Sequence, residues 1–324
     1  MSISFDAIPN DIIEGGLFTE VRSTGASGGS PHRALIVVPK LGTGTLSTTE
    51  PQRVFSQADA YRMCGKGSIG AAMILAFLKA APSVELHAIG FTAQDGGAAS
   101  CTIPITVTPE SFKAGTLALY IAGERIEVPL TSGPTADDVC DAIVDAITES
   151  ENPRLVVTAE VVAEPAGVKL TARDACGLSN QIDVRLDYYS SDARLEPSGV
   201  AFAIPAAGMI NGVGQPTAST IIEAIAGVPF DTIVWPDSAE ASLTAWSSEM
   251  DERFGPAVQQ DGHLFAAVEG DVATATTAAA GLNGKHLTLV GSGDSPTMSC
   301  VWAASLAAVD AAQSDPARPR RTLP

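Results

Sequence analysis

The sequence predicts an α/β protein whose core is made from two separate stretches of chain, with a β-rich domain inserted between them. Strands and helices alternate over residues 31–97 and again over residues 205–315, which is typical of a parallel sheet covered by helices. Between them, over residues 98–204, short strands with period-two alternation predominate. An extended arm over residues 1–30 precedes the core.

The first part of the core is predicted to contain a strand, two helices and a second strand. The run "ALIVVP" is apolar and β-branched, as in a buried strand. Ser56 is the expected N-cap of the first helix, and Gly65–Ser68 the break before the second. In the second helix, helical spacing predicts that four apolar residues face the core: Ala71, Ile74, Leu75 and Leu78. The stretch "SVELHAIGF" is the next strand.

The inserted stretch is acidic and hairpin-rich. "SCTIPITVTP" alternates as a strand, and the following pattern predicts a hairpin turning at Ala122–Gly123. One amphipathic helix follows, with Thr135 as its cap and an apolar stripe of Val139, Ile143 and Ile147. Strands are then expected at "LVVTAEVVAE", "GVKLTARD" and "NQIDVRLDYY". Residues 101–200 hold 16 acidic and 7 basic side chains, so we expect a solvent-facing domain.

Helix–strand alternation returns after residue 205. The expected strands are "DTIVWP", "HLFAAVEG" and "HLTLVGSG", each preceded by a helix, and a final helix covers "TMSCVWAASLAAVDAAQ". The Pro- and Arg-rich end, residues 316–324, reads as a stiff connector with Arg318, Arg320 and Arg321.

Composition disfavours several classes of partner. The formal net charge is −18, which disfavours nucleic acid and anionic membranes as partners. No signal-peptide pattern is visible, and no apolar run reaches the roughly 18 residues of a membrane helix. The five cysteines are far apart without a CxxC pair, so we expect free buried thiols.

The sequence offers no converging set of catalytic residues. The four histidines lack HExxH spacing, and each is expected to be structural. A serine hydrolase would have to use Ser292 or Ser295 with Asp294, Asp261 or His263, but the GxSxG elbow is missing. The phrases "KLGTGT", "CGKGSIG" and "NGVGQP" do not match a phosphate-binding loop. We therefore predict no enzyme, cofactor or metal site.

The N-terminal arm is apolar but broken by Pro9 and Gly15–Gly16, and a Gly/Ser-rich hinge follows it. Its apolar residues are Ile3, Phe5, Ile8, Ile12, Ile13, Leu17, Phe18 and Val21.

Several phrases together resemble the tail sheath proteins of Mu-like contractile phages. They are "ISFDAIPNDI", "RALIVVPKLGTGT", the helix phrase at Gly65–Met73, "NGVGQP", "PFDTIVWPD" and "SDPARPRRTLP". The resemblance implies a core of subtilisin-like topology without protease activity, and an inserted domain on the outer surface. It also implies that the apolar residues of the arm contact a neighbouring subunit, to whose sheet the arm adds a strand. In that family a further C-terminal domain follows the connector, so we expect such a domain to be missing here.

The resemblance also implies partners and a mechanism. Sheath subunits assemble as stacked hexameric rings around a tail tube, and the stack contacts a baseplate and a tail terminator. Contraction of the rings drives the tube through the host envelope. The expected location is the virion tail, assembled in the host cytoplasm, without nucleic acid or membrane insertion. Two alternatives stay open: the sheath of a phage-tail-like bacteriocin or injection system, and an α/β serine hydrolase.

Overall fold

The structure is a computed structural model that describes residues 32–91, 93, 96–131, 135–150, 152–192, 196–282 and 284–313. Within these ranges the strands are β1 (Arg33–Pro39), β2 (Gln52–Val54), β3 (Glu85–Phe91), β4 (Ser100–Val107), β5 (Gly115–Ile121), β6 (Glu124–Leu130), β7 (Val157–Ala163), β8 (Ala166–Ala172), β9 (Val184–Leu186), β10 (Val200–Phe202), β11 (Thr232–Val234), β12 (His263–Val268) and β13 (Leu287–Gly291). The helices are α1 (Gln57–Cys64), α2 (Ile69–Ala80), α3 (Ala136–Glu149), α4 (Ala218–Ala224), α5 (Glu240–Phe254), α6 (Val272–Ala280) and α7 (Ser299–Ala312).

A six-stranded sheet in the order β13-β12-β11-β1-β3-β2 forms the centre of the α/β part. Its strands are parallel except β2, which runs antiparallel to β3 at one edge. The predicted α/β class is confirmed, and strands from residues 31–97 and from residues 205–315 meet where β1 pairs with β11. The edge strand β2 was not predicted, because three residues are too few to show alternation.

Burial explains why β1 is central. Residues Ala34–Val38 are fully buried, as a strand covered on both faces must be. Helix α2 packs on β1 and beside α7, which crosses β11 and β12. The buried face of α7 consists of small residues that let its backbone approach the sheet: Ala303, Ala304, Ala307, Ala308 and Ala311.

Helices α1 and α2 begin as the capping residues predict. The Ser56 side chain accepts a hydrogen bond from the Asp59 amide, and Ser68 does the same for Ala71. The predicted core face of α2 is partly wrong, since Leu75 and Leu78 are only half-buried. The residues buried most deeply are Ile69, Gly70, Met73, Ile74 and Phe77, whereas Leu75 and Leu78 pack against the margin of the core.

The β-rich part contains two smaller sheets, β10-β4-β8-β7 and β6-β5-β9, with α3 packed on β4, β6, β7 and β8. The hairpin turns at Ala122 and Gly123, whose φ angles of 51° and 82° are those of a two-residue turn. Helix α3 has a capping box between Thr135 and Asp138, and its predicted apolar stripe is buried.

One predicted strand in this part is mostly wrong. "NQIDVRLDYY" contributes only β9, preceded by a 3-10 helix at Gly177–Gln181. The short strand β10 was not predicted. The boundaries proposed for an inserted domain, 98–204, stay a prediction.

The five cysteines are free and buried, as the sequence predicts. Burial raises the pKa of the Cys64 and Cys176 thiols to about 12, so both remain protonated at neutral pH. Among the described residues, no helix combines the length and apolar character needed to cross a membrane.

Gly70 gives a sensitive test of how α2 packs on the sheet. A Cβ there would overlap the Pro39 carbonyl oxygen and lie 3.0 Å from the Val38 Cβ. We expect Gly70→Ala to lower the free energy of unfolding by about 1–3 kcal/mol, although alanine is normally the better helix former by up to about 1 kcal/mol. Urea denaturation measures the change. Gly42→Ala is the matched control, since nothing lies within 4 Å of a Cβ there; equal stability of the two variants would contradict this packing.

Candidate functional site

The loop at Gly65–Ser68 joins α1 to α2 and belongs to the phrase "CGKGSIG", which was compared with phosphate-binding loops above. Gly65 and Gly67 have φ angles of 94° and 76°, a region that favours glycine. The Ser68 hydroxyl donates to the Gly65 carbonyl at 3.0 Å while it caps the Ala71 amide at 2.9 Å. The loop therefore directs α2 toward the β-rich part of the chain.

A carboxylate of this chain already occupies the start of α2. Asp174 Oδ2 accepts a hydrogen bond of 2.6 Å from the Ile69 amide, and the Asp174 residue is only 2% exposed. The first amides of a helix are the position where a phosphate would bind. Since Asp174 fills that position, the loop serves as an internal junction.

Further contacts hold the same junction. The Gly67 amide donates to the Pro153 carbonyl at 2.7 Å, and Arg173 Nε donates to the carbonyls of Leu155 and Val157. A Cβ on Gly67 would meet the Leu155 carbonyl oxygen. Strands β7 and β8 are thus tied through their ends to α2, which lies on the six-stranded sheet.

Burial changes the acidity of Asp174. Desolvation raises the pKa of its carboxyl group to about 6, against the opposing effect of the hydrogen bond from Ile69. Its other oxygen, Oδ1, has no hydrogen-bond partner among the described residues. Sequence reasoning missed this residue, because a single aspartate after a strand carries no pattern of its own.

The phrase "NGVGQP" also makes internal contacts. Its Gly212 exchanges two hydrogen bonds with the Asn180 side chain, at 2.8 and 2.9 Å, and the Gly177 amide donates to the Gly214 carbonyl at 2.7 Å. Asn211 and Gly214 adopt positive φ angles to make this turn. The phrase braces the 3-10 helix at Gly177–Gln181.

The residues considered for a serine hydrolase lie at opposite ends of the neighbouring strands β12 and β13. His263 begins β12, whereas Ser292 follows β13, and its amide donates to Val268 at the far end of β12. Five residues of strand separate these two ends by about 17 Å. Asp294 pairs with Arg185 at 2.6 Å, and Ser295 accepts from Trp302 Nε1 at 2.9 Å. The structure does not bring these residues together as a triad.

The histidines make structural contacts. His32 Nε2 lies 2.9 Å from Thr232 Oγ1, His263 Nε2 lies 2.7 Å from Thr288 Oγ1, and His87 Nε2 lies 3.0 Å from Glu85 Oε1. His286 is within 4.0 Å of Asp251 and Asp261. Within the described ranges, no three His, Cys, Asp or Glu side chains gather as a metal site.

The residues predicted for assembly lie outside the described residues. These are the apolar arm positions Ile3, Phe5, Ile8, Ile12, Ile13, Leu17, Phe18 and Val21, and the connector arginines Arg318, Arg320 and Arg321. Their roles stay predictions.

Comparisons with known proteins match the chain over its whole length. Residues 211–324 match the family model described as the phage tail sheath protein central domain. The Mu-like prophage FluMu tail sheath protein of Haemophilus influenzae is 32% identical over 330 residues, covering 100% of this chain and 66% of that relative. The chain therefore spans just under two thirds of the relative's length.

Two solved structures named as sheath tail proteins are also similar. The one from Desulfitobacterium hafniense has 15% identity and a TM-score of 0.39, over 92% of this chain and 62% of that chain. The one from Listeria innocua has 15% identity and a TM-score of 0.36, over 88% and 57%. On the sequence matches, the chain belongs to the phage tail sheath family, and the predicted resemblance is confirmed.

The Asp174 junction predicts a specific dependence of stability on pH. A carboxyl whose pKa rises from 3.8 to about 6 on folding favours the folded state below pH 3.8, and this contribution is lost as the pH rises through 6. We expect Asp174→Asn to remove the dependence while the amide oxygen still accepts from Ile69. Relative to the variant, the wild type should lose about 2–3 kcal/mol of unfolding free energy between pH 4 and pH 7.

Urea denaturation at a series of pH values measures this difference. Asp137→Asn, at an exposed position in the first turn of α3, is the control for removing one carboxylate. A constant difference between wild type and Asp174→Asn over this range would show that the carboxyl is not held in the way described.

Proposed function

We propose that this chain is the structural subunit of a contractile tail sheath, which assembles as stacked hexameric rings around a tail tube. Contraction of the rings drives the tube through the host envelope. The observation that carries the proposal is the 32% identity to a Mu-like prophage tail sheath protein along the whole of this chain. The partners are further copies of the chain, the tube protein, the baseplate and the tail terminator, in a virion tail assembled in the host cytoplasm.

The described residues suit a subunit that moves as a near-rigid body. The three sheets share one continuous set of buried apolar residues, and the Asp174 junction ties the β-rich part to α2. A protein that works by rearranging subunits needs stiff bodies and movable connections between them. No bond-breaking step is required, which agrees with the separation of Ser292 from His263.

The acidic stretch supports an orientation within the sheath. We propose that residues 98–204 form an inserted domain that faces outward from the tube, because their excess of carboxylates favours solvent over packed interfaces. The arm, residues 1–30, reaches a neighbouring subunit and adds a strand to its sheet, so that subunits stay connected while rings reorient.

Replacement of the arm's apolar residues tests this assembly role. We expect serine at Ile3, Phe5, Ile8 and Ile12 to leave the chain folded but to prevent tubes from forming, since strand addition would lose its buried side chains. Negative-stain electron microscopy shows the tubes, and circular dichroism checks the fold. Deletion of residues 1–24 should have the same effect.

The matched control replaces polar arm residues, Ser2, Asn10 and Thr19, with alanine, which should leave tubes intact. Tubes of unchanged length from the serine variant would refute strand addition by the arm. Globular particles from the unaltered, complete polypeptide under all assembly conditions would refute the sheath function itself.

A further inference from the structure

Three exposed aromatic side chains, Tyr188, Tyr189 and Trp302, form one aromatic stripe on the surface. They are 42%, 59% and 42% exposed. The centroids of the two tyrosine rings lie 5.0 Å apart in an edge-to-face contact, and the Arg185 guanidinium lies 5.6 Å from the Tyr188 ring. Trp302 donates its indole N–H to the Ser295 hydroxyl at 2.9 Å. Tyrosine, tryptophan and arginine are the residues that contribute most binding energy at protein interfaces.

Ion pairs fix the stripe and make its surroundings acidic. Arg185 Nε lies 2.7 Å from an oxygen of Asp183, and Arg185 Nη2 lies 2.6 Å from an oxygen of Asp294, whose side chain is 92% exposed. Asp187, directly before Tyr188, adds a third carboxylate. Three carboxylates beside one guanidinium leave net negative charge, which attracts a cationic partner surface.

The stripe continues from one edge of the six-stranded sheet. Asp294 follows β13 by three residues, and β13 is the outermost described strand on that side. The strand at the opposite edge is β2, and Phe55 follows it directly. Five strand spacings of about 4.8 Å separate the two edges by about 24 Å, so one copy of the chain presents both edges at once.

A second exposed aromatic surface, the β2 patch, consists of Arg53, Phe55 and Arg62. Phe55 is 71% exposed, and the Arg53 guanidinium lies 4.9 Å from the centre of its ring. The Asp59 carboxylate joins the patch, since it accepts hydrogen bonds from the Phe55 amide at 3.3 Å and from Arg62 at 2.9 Å. Residues 32–91 carry six lysines and arginines against three aspartates and glutamates, in a chain whose net charge is −18. This edge is therefore basic where the other is acidic.

We propose that the aromatic stripe of one copy of this chain binds the β2 patch of a second copy. Phe55 packs against the two tyrosine rings, and the guanidinium groups of Arg53 and Arg62 face the carboxylate of Asp294. Because the two surfaces differ, the contact is head-to-tail, and successive copies either close into a ring or continue as a helix. The proposal rests on the proposed self-assembly and names surfaces for it other than the arm.

Charge distinguishes the β2 patch from another exposed phenylalanine. Phe254 is 51% exposed, and Lys285 Nζ lies 5.1 Å from its ring centre, the same arrangement of ring and cation. Lys285, however, pairs with Asp251 at 3.3 Å, and Glu252 lies two residues before Phe254. These two carboxylates would repel those of the aromatic stripe. Phe254 therefore provides a control for the test.

Two double variants test the contact, one on each surface. Arg53→Gln with Phe55→Ser alters the β2 patch, and Tyr189→Ser with Asp294→Asn alters the aromatic stripe. Sedimentation velocity measures association, and circular dichroism checks the fold. We expect the wild type to form oligomers that grow with concentration, and each variant to associate at least about tenfold more weakly, as when an interface loses an aromatic anchor.

A mixture of the two variants tests the head-to-tail geometry. Each variant keeps the surface that the other lacks, so the mixture should form dimers that grow no further. The control double variant, Phe254→Ser with Lys285→Gln, removes an exposed ring and its cation and should associate like the wild type.

Three results would overturn the contact. They are a wild type that stays monomeric up to about 1 mM, the weak end of specific association; equal association of the wild type and both variants; and a mixture without dimers. Tubes formed by the complete polypeptide with either double variant would also refute this contact and leave the sheath function standing. Absence of tubes from the unaltered polypeptide would instead count against the sheath function.

Discussion

The hydrogen bond from the Ile69 amide to the buried Asp174 carboxylate lies at the centre of the junction between the α/β part and the β-rich part. It joins the first turn of α2, which lies on β1, to the segment that leaves β8. The negative charge and the helix amides stabilise each other, while burial makes that charge expensive. The contact persists because Gly67 lets the backbone of residues 153–155 approach so closely.

The same requirement for close approach explains the residues around the junction. Gly70 lies against the Pro39 carbonyl, and the buried alanines of α7 let that helix lie close beside α2 and on the sheet. Small side chains here reduce the apolar area that each residue buries, but they bring helices and strands into contact along their whole length. Close contact of this kind makes the body stiff.

Charge is distributed unevenly over this body. Carboxylates predominate in the β-rich part and at the amino edge of the six-stranded sheet, while three arginines are concentrated beyond α7. Ion pairs such as Arg185 with Asp294 and Arg125 with Asp192 join residues distant in sequence. The carboxylate of Asp294 is exposed, so its pair contributes little to stability, whereas that of Asp192 is buried. Both pairs fix which surfaces face each other.

The sequence by itself determined the α/β class, the caps at Ser56 and Thr135, the Ala122–Gly123 turn and the family, because each depends on local patterning or on phrases along the chain. Only the tertiary structure decided that β11 would join β1 across some two hundred residues, and that Leu75 and Leu78 would be half-buried. It also revealed Asp174 as the partner of α2, and it placed Ser292 and His263 at opposite ends of the strands β12 and β13. These outcomes depend on which surfaces pack together, and a pairing between residues more than a hundred positions apart leaves no periodicity in a single sequence.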